Sequence, residues 1–123
     1  MALQYTIDNE CLVVRTTGSG VLDVGELRAL MSHLPTDPHF NATYHSLVDL
    51  RDVIAIAMDS AALAPIAMTA VFTPGSKHAL VATADAVYGM ARAYASFGES
   101  KGQVTRVFRE MRSAEAWLDL DQH

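Results

Sequence analysis

Five segments of the chain have the hydrophobic pattern of β-strands. Residues 5–8 and 11–17 are short extended runs separated by a turn, which predicts a β-hairpin. Residues 44–50 form a third strand, and residues 103–109 alternate like a strand with one wetter face. Residues 78–83 are apolar except at their ends, which is typical of a central parallel strand covered on both faces.

Two helical patterns lie before and after the third strand. Asp23 and Glu26 have the spacing of a capping box, in which a carboxylate accepts from free amides of the first turn. The next apolar residues recur at intervals of three and four, which predicts one buried helical face. They are Leu27, Leu30, Met31 and Leu34. A second helix, rich in Ala, Ile and Met, is expected within residues 60–72.

Two further helices complete the pattern. Asp85 is expected to cap the third, which ends at Gly98. Ser113 is expected to cap a short last helix that buries Trp117. The order is therefore β-β-α-β-α-β-α-β-α, which predicts an α/β fold with a mixed, mostly parallel sheet of about five strands, an antiparallel N-terminal edge hairpin and four helices. We expect residues 1–123 to form a single domain.

Composition narrows the choice of partner and location. Nine Lys and Arg residues against fourteen Asp and Glu residues give a net charge of -5, which argues against nucleic-acid binding. Cys11 is the single cysteine, so neither an intramolecular disulfide nor a thiolate-rich zinc site can form. Asp59 and Pro65 interrupt the apolar stretch 53–72, which argues against a membrane span. The first residues lack the pattern of a signal peptide, so we expect a cytoplasmic protein.

Motifs of catalysis and of metal or cofactor binding are missing from the sequence. There is no Gly-x-Ser-x-Gly elbow, and Gly18 and Gly20 lack the following residues that would cradle a nucleotide phosphate. The histidines do not have the spacing of metal ligands. We therefore predict a non-enzymatic protein without a metal or other cofactor.

The chain resembles the SpoIIAA-like (STAS/SEC14-type) small bacterial proteins. The resemblance rests on five segments: VDLR at 48–51, ALVA at 79–82, YGMAR at 88–92, RVFR at 106–109 and AEAWL at 114–118. It implies a β-α superhelical fold. It also implies either an anti-sigma-factor antagonist, which is a regulatory protein-interaction module, or a carrier of lipid.

One segment resembles the phosphorylation site of the anti-sigma-factor antagonists. Their Met-Asp-Ser-Ser-Gly-Leu-Gly is replaced here by MDSAALA at 58–64. The resemblance implies Ser60, next to Asp59, as a phospho-switch at a helix N-terminus. A simple capping serine is the alternative. Pro65 predicts that the helix begins later and leaves Ser60 in a loop.

The segment 61–76 has no charged residue, although an outer helix normally keeps a polar face. We therefore expect this helix to be covered by a second protomer, a partner or an apolar ligand. The candidate residues are Met58, Ala64, Ile66, Met68 and Phe72. Asp49 is a further candidate, because it is expected to end a strand at the carboxyl edge of the sheet, where it could meet a ligand or accept backbone amides.

Two functions follow from these patterns. The first is a non-catalytic regulatory or protein-interaction module that works as a homodimer or with a protein partner. The alternative is a small carrier of a lipid or apolar ligand. An enclosed pocket would favour the carrier, and a flat apolar helix face would favour the interaction module.

Overall fold

The computed structural model describes residues 2–69 and 71–120, so Ala70, within the second predicted helix, lies outside the described residues. The described part contains five strands and four α-helices, and the predicted element order is confirmed. The strands are β1 (Leu3–Asp8), β2 (Val13–Asp23), β3 (His45–Ala57), β4 (Lys77–Val81) and β5 (Val104–Phe108). The helices are α1 (Val24–His33), α2 (Ser60–Ala67), α3 (Asp85–Glu99) and α4 (Met111–Trp117), with a 3₁₀ turn at Leu34–Thr36.

The strands lie in the sheet in the same order as in the chain. β1 pairs with β2 antiparallel, and every later pair is parallel. This confirms the predicted mixed sheet with an antiparallel edge hairpin. Each parallel pair needs a crossover connection, and α1, α2 and α3 supply these connections.

The two faces of the sheet are covered differently. α1, α2 and α3 pack side by side, with α2 between the other two. On the opposite face, α4 packs against one apolar side chain from β2, one from β3 and two from β4 in a buried cluster. The members of this cluster include Val13, Leu47, Ala79, Ala114 and Leu118.

Two strands run further than their sequence predicts. β2 was expected over residues 11–17, before Gly18 and Gly20, but the strand continues to Asp23 and pairs with β3 as far as Ala57. The register shifts between Thr17 and Ser19, and again between Gly20 and Val21. These irregularities break the alternation, since a bulge inserts an unpaired residue. Position 18 has little room for a side chain, because an added Cβ would lie 3.0 Å from Val53 Cγ2 and would push this side chain away.

α2 begins at Ser60, so the expectation of a later start is wrong. The Asp59 side chain accepts a hydrogen bond from the Ala62 amide at 2.8 Å and caps the helix. Pro65 lies inside the helix. Its missing amide is tolerated in a helix of only eight residues, which ends soon afterwards at Ala67.

The ends of α3 and α4 also differ from the prediction. Asp85 is the first residue of α3 and Ala84 is its N-cap, while Glu110 instead of Ser113 occupies the N-cap position of α4. Trp117 is only half-buried, with its ring centroid 5.8 Å from that of Phe108. Its ring lies at the edge of the α4 cluster, where it also faces the Lys77 ammonium at 5.3 Å.

Candidate functional site

An apolar cavity of about 110 Å³ lies between the sheet and the helices α1, α2 and α3. Its floor consists mainly of side chains spaced two apart along β2, β3 and β4, because alternate residues of a strand point to one face. These floor residues include Val14, Thr16, Ser46, Val48, His78 and Leu80.

The helices and loops form the other walls of the cavity. The predicted apolar stripe of α1 faces it through Leu27, Leu30 and Met31, followed by Leu34 in the 3₁₀ turn. Methionines come from three places, namely Met31 on α1, Met58 before α2 and Met90 on α3. Because a methionine side chain is flexible and polarisable, these walls can adapt to the shape of a bound molecule.

A row of polar residues crosses the sheet from β3 to β5, and two of its three members line the cavity. Ser46 on β3 pairs in register with His78 on β4, and His78 pairs with Thr105 on β5. Ser46 and His78 are both buried and both line the cavity. Thr105 Oγ1 is buried without a hydrogen-bond partner among the described residues. The polar side chains of the floor are thus the neighbouring Ser46 and His78, together with Thr16 on β2.

His78 lies in the middle of this row, between Ser46 and Thr105. Only 9% of it is exposed, and its Nε2 has no hydrogen-bond partner among the described residues. The ring packs edge-on against Phe72, with centroids 4.9 Å apart. Burial, followed by the neighbouring His45, lowers the pKa of His78 to about 4. The imidazole is therefore neutral at physiological pH.

The cavity wall carries no charge. Among the described residues, none of the Asp, Glu, Lys or Arg side chains lines it. Tyr94 on α3 lines it, and burial raises the pKa of this phenol to about 12, so that it is also neutral. The described residues contain no group of three or more His, Cys, Asp or Glu side chains that could hold a metal ion.

The predicted interface or ligand residues are separated by the fold. Met58 and Phe72 line the cavity, where they would contact an apolar ligand. Ile66 is 4% exposed and lies inside the domain, so that it cannot contact a second protomer there. Ala64 is half-buried, and Met68 is 39% exposed on the outside. α2 therefore buries Leu63, Ile66 and Ala67 within its own chain.

The predicted polar candidates lie away from the cavity. Ser60 is exposed at the first turn of α2, and Asp59 is occupied with capping it. Asp49 does not end a strand, because β3 continues past it, and it shares the α4 face with Leu47 two residues earlier. Its carboxylate accepts hydrogen bonds from Arg51 Nε at 2.9 Å and Nη2 at 2.8 Å, which lowers the pKa of Asp49.

Comparison with known proteins identifies the fold. Neither a family model nor a curated protein matches the sequence. A solved structure does match: an uncharacterized protein of the DUF3478 family from Shewanella loihica PV-4, described as having a SpoIIAA-like fold. The TM-score is 0.61, over 95% of this chain and 92% of that chain, at 12% sequence identity. The chain has a SpoIIAA-like fold. This confirms the resemblance, and the identity is low enough that it shows the fold alone.

Within this SpoIIAA-like fold, the sequence did not single out His78 as a site residue. His78 precedes an apolar run, and a polar residue in that place is normally interpreted as the end of a strand. The register that aligns it with Ser46 and Thr105 joins residues far apart in the chain. One available signal was a polar residue at an inward position of a strand that is otherwise buried on both faces.

Proposed function

We propose that this chain is a non-catalytic module that binds a small apolar ligand in the cavity between the sheet and α1–α3. The observation that carries this proposal is a cavity with apolar, methionine-containing walls and two buried polar residues, Ser46 and His78, in its lining. Ligand sites are typically concave, mostly apolar and equipped with a few placed polar groups. An engineered apolar cavity of about 150 Å³ binds benzene, so that 110 Å³ is in the range of a ring-sized molecule.

The size of the cavity distinguishes this function from the carriage of a complete lipid. A long acyl chain has several times the volume of a single ring, whereas the cavity measures about 110 Å³. A whole lipid would fit only if α1–α3 moved away from the sheet. A ring-sized or short-chain ligand needs no such movement, and we therefore prefer it to the SEC14-type carrier.

The chemistry of the floor supports binding without catalysis. Ser46 and His78 are neighbours across β3 and β4, as a nucleophile and its base would be. A general base works best with a pKa near the operating pH, and the pKa of His78 is lowered to about 4. At neutral pH His78 is thus too weak a base to activate a serine hydroxyl.

A cavity-filling substitution tests the proposed site. Ala91 lies on α3, is 3% exposed and lines the cavity, so that Ala91→Met places additional side-chain volume inside it. Ala86→Met on the exposed side of the same helix is the matched control. We expect toluene and methylcyclohexane to shift the methyl NMR signals of Leu30 and Leu63 in the wild type and in Ala86→Met, and not in Ala91→Met.

The opposite result would dismiss the site. If neither toluene nor methylcyclohexane shifts these signals in the wild type, even at the solubility limit of the compound, the cavity is a packing defect and not a binding site. If Ala91→Met binds both probes as well as the wild type, binding takes place elsewhere on the chain.

We also propose self-association as a second function, through the outer part of β3. β4 pairs with β3 only over residues 46–49, whereas β3 continues to Ala57. This part of the β2–β3 ribbon exposes two large apolar side chains, Ile54 at 72% and Val21 at 50%. An uncovered strand edge can pair with its own copy around a twofold axis, which gives a symmetric dimer.

Light scattering of charged variants tests this self-association. Ile54→Lys places a charge on the uncovered ribbon, and Leu12→Lys places one on an apolar residue that is 52% exposed elsewhere. We expect the wild type and Leu12→Lys to be dimers and Ile54→Lys to be a monomer with an unchanged melting temperature. A wild type that is monomeric at 100 μM, or an Ile54→Lys dimer, contradicts the proposal.

A further inference from the structure

We infer that the ligand of the cavity carries one neutral oxygen atom, which accepts a hydrogen bond from a hydroxyl group of the floor, that of Thr16 or that of Ser46. This inference rests on the proposed function and specifies the chemical class of its ligand. The ligand is a small molecule whose carbon skeleton fills the apolar space and whose polar group is an uncharged acceptor, as in a ketone.

Two hydroxyl groups of the floor are open to the cavity. Thr16 on β2 and Ser46 on β3 both line it, and only 4% and 6% of these residues are exposed. Neither hydroxyl takes part in a hydrogen bond among the described residues. The unpartnered side-chain atoms that are fully enclosed are Glu26 Oε2, His78 Nε2 and Thr105 Oγ1. The oxygens of Thr16 and Ser46 are not among them, so each keeps accessible surface. Because β2 and β3 are inner strands of the sheet, that surface opens to the cavity.

These hydroxyl groups lack an acceptor that a ligand could provide. A serine or threonine hydroxyl donates one proton, and buried polar groups in proteins nearly always have a hydrogen-bond partner. Leaving such a donor unpaired in an apolar surrounding is costly. A ligand oxygen in the cavity can reach these two hydroxyls because both are accessible from it, whereas it cannot reach the enclosed Nε2 of His78.

The arrangement of the floor limits the number of polar groups on the ligand. Thr16 pairs in register with Val48, and Ser46 pairs with Val14, so that the two hydroxyls are diagonal neighbours with a valine beside each. The other walls are formed mainly by leucines and methionines. A second polar group on the ligand, placed away from the hydroxyls, would be buried against these apolar side chains without a partner.

The uncharged walls exclude an ionised ligand. An anion would find neither a Lys nor an Arg among the described residues of the wall, and a cation would find neither an Asp nor a Glu. A charge buried without a partner is strongly disfavoured. His78 does not supply a positive charge either, because burial lowers the pKa of its imidazole to about 4.

A matched pair of ligands tests the inference. Cyclohexanone and methylenecyclohexane have nearly the same shape and differ in an oxygen atom against a CH₂ group. The double variant Thr16→Val/Ser46→Ala removes both floor hydroxyls, and Thr17→Val/Ser19→Ala removes two exposed hydroxyls from β2 as the matched control. Affinities of all three proteins for both compounds are measured by NMR titration at pH 7, together with hexanoate as an anionic probe.

We expect the Kd ratio of methylenecyclohexane to cyclohexanone to fall about tenfold from the wild type to Thr16→Val/Ser46→Ala, the usual scale of one buried hydrogen bond. The ratio should stay constant in the control. The carbonyl ¹³C signal of cyclohexanone, extrapolated to the fully bound state in the wild type, should lie downfield of its position in cyclohexane solution. This readout uses the wild type, so that it decides the matter even if the double variant does not fold.

Three results would overturn the inference while leaving the proposed function intact. One is a Kd ratio that is the same in the wild type and in Thr16→Val/Ser46→Ala. Another is a bound carbonyl signal at its position in cyclohexane, which would show an oxygen without a hydrogen bond. The third is tighter binding of hexanoate than of cyclohexanone at pH 7, which would make the ligand an acid. If none of the three compounds binds the wild type, the proposed function itself fails.

Discussion

Acidification should destabilise this protein through His78, beginning at a pH above that at which ordinary carboxylates titrate. The pKa of this imidazole is about 4 in the folded chain, against 6.5 for an unperturbed histidine. Between these values the unfolded chain binds a proton that the folded chain does not. Stability therefore rises with pH across this window and is lost as the pH falls through it. The contribution is complete above about pH 6.5 and exhausted below about pH 4.

The magnitude follows from the difference between the two pKa values. One unit corresponds to about 1.4 kcal/mol, so that the whole window amounts to about 3 kcal/mol. Between about pH 7 and pH 4.5 the expected loss is roughly 2 kcal/mol, because part of the titration lies outside that range. His45 adds to the loss, since burial and then the Lys77 charge lower its pKa as well. The lowered pKa values of Asp8, Asp37 and Asp49 act at lower pH.

Urea unfolding at about pH 7 and pH 4.5 measures this effect in the wild type and in His78→Phe. The variant has no titrating group at this position, so that its loss of stability should be smaller by roughly 2 kcal/mol. A wild type with equal unfolding free energies at both pH values would refute the reasoning. Equal losses in both proteins would also refute it, because they would assign the titration to other groups.

Four further substitutions, at three positions, test the packing and the cap of α2 by urea unfolding at neutral pH. Gly18→Ala should lower the free energy of unfolding by about 1–3 kcal/mol, because the added methyl group meets Val53 at 3.0 Å. An unchanged midpoint would show that the Val53 side chain moves aside without loss of stability. Trp117→Ala should cost about 2 kcal/mol, less than the 3–5 kcal/mol expected of a fully buried tryptophan, since the ring is half-buried. Asp59→Ala should cost about 1 kcal/mol and Asp59→Asn much less, because both Asp and Asn can accept from the Ala62 amide.

The sequence was sufficient for the order of elements because that order depends on local periodicity. Leu27, Leu30 and Met31 recur at helical spacing, and they do face the sheet across the cavity. The length of β2 was underestimated because Gly18 and Gly20 have the composition of a turn, and the register shifts around them hide the alternation. A bulged strand that is rich in glycine has no local pattern to distinguish it from a loop.

The cavity could not be predicted, because it depends on the distance between helices and sheet and not on any single segment. Met58 and Phe72 were recognised as apolar residues in need of cover, yet their cover is the chain itself. Ile66 is equally hydrophobic, but it lies in the core. Hydrophobicity alone does not separate a residue that lines a cavity from one that packs against its neighbours.

The two faces of β4 are packed differently, and this difference affects which parts of the protein unfold locally. On the α4 side, Ala79 and Val81 are completely buried in a close-packed cluster, whereas His78 and Leu80 on the other side face a cavity. Regions with fewer packed contacts open at lower free energy than a dense core does. In amide hydrogen exchange, α1 and α2 should therefore exchange through local opening while β4 exchanges only on global unfolding. Entry to the cavity through α1 and α2 would then leave β4 undisturbed.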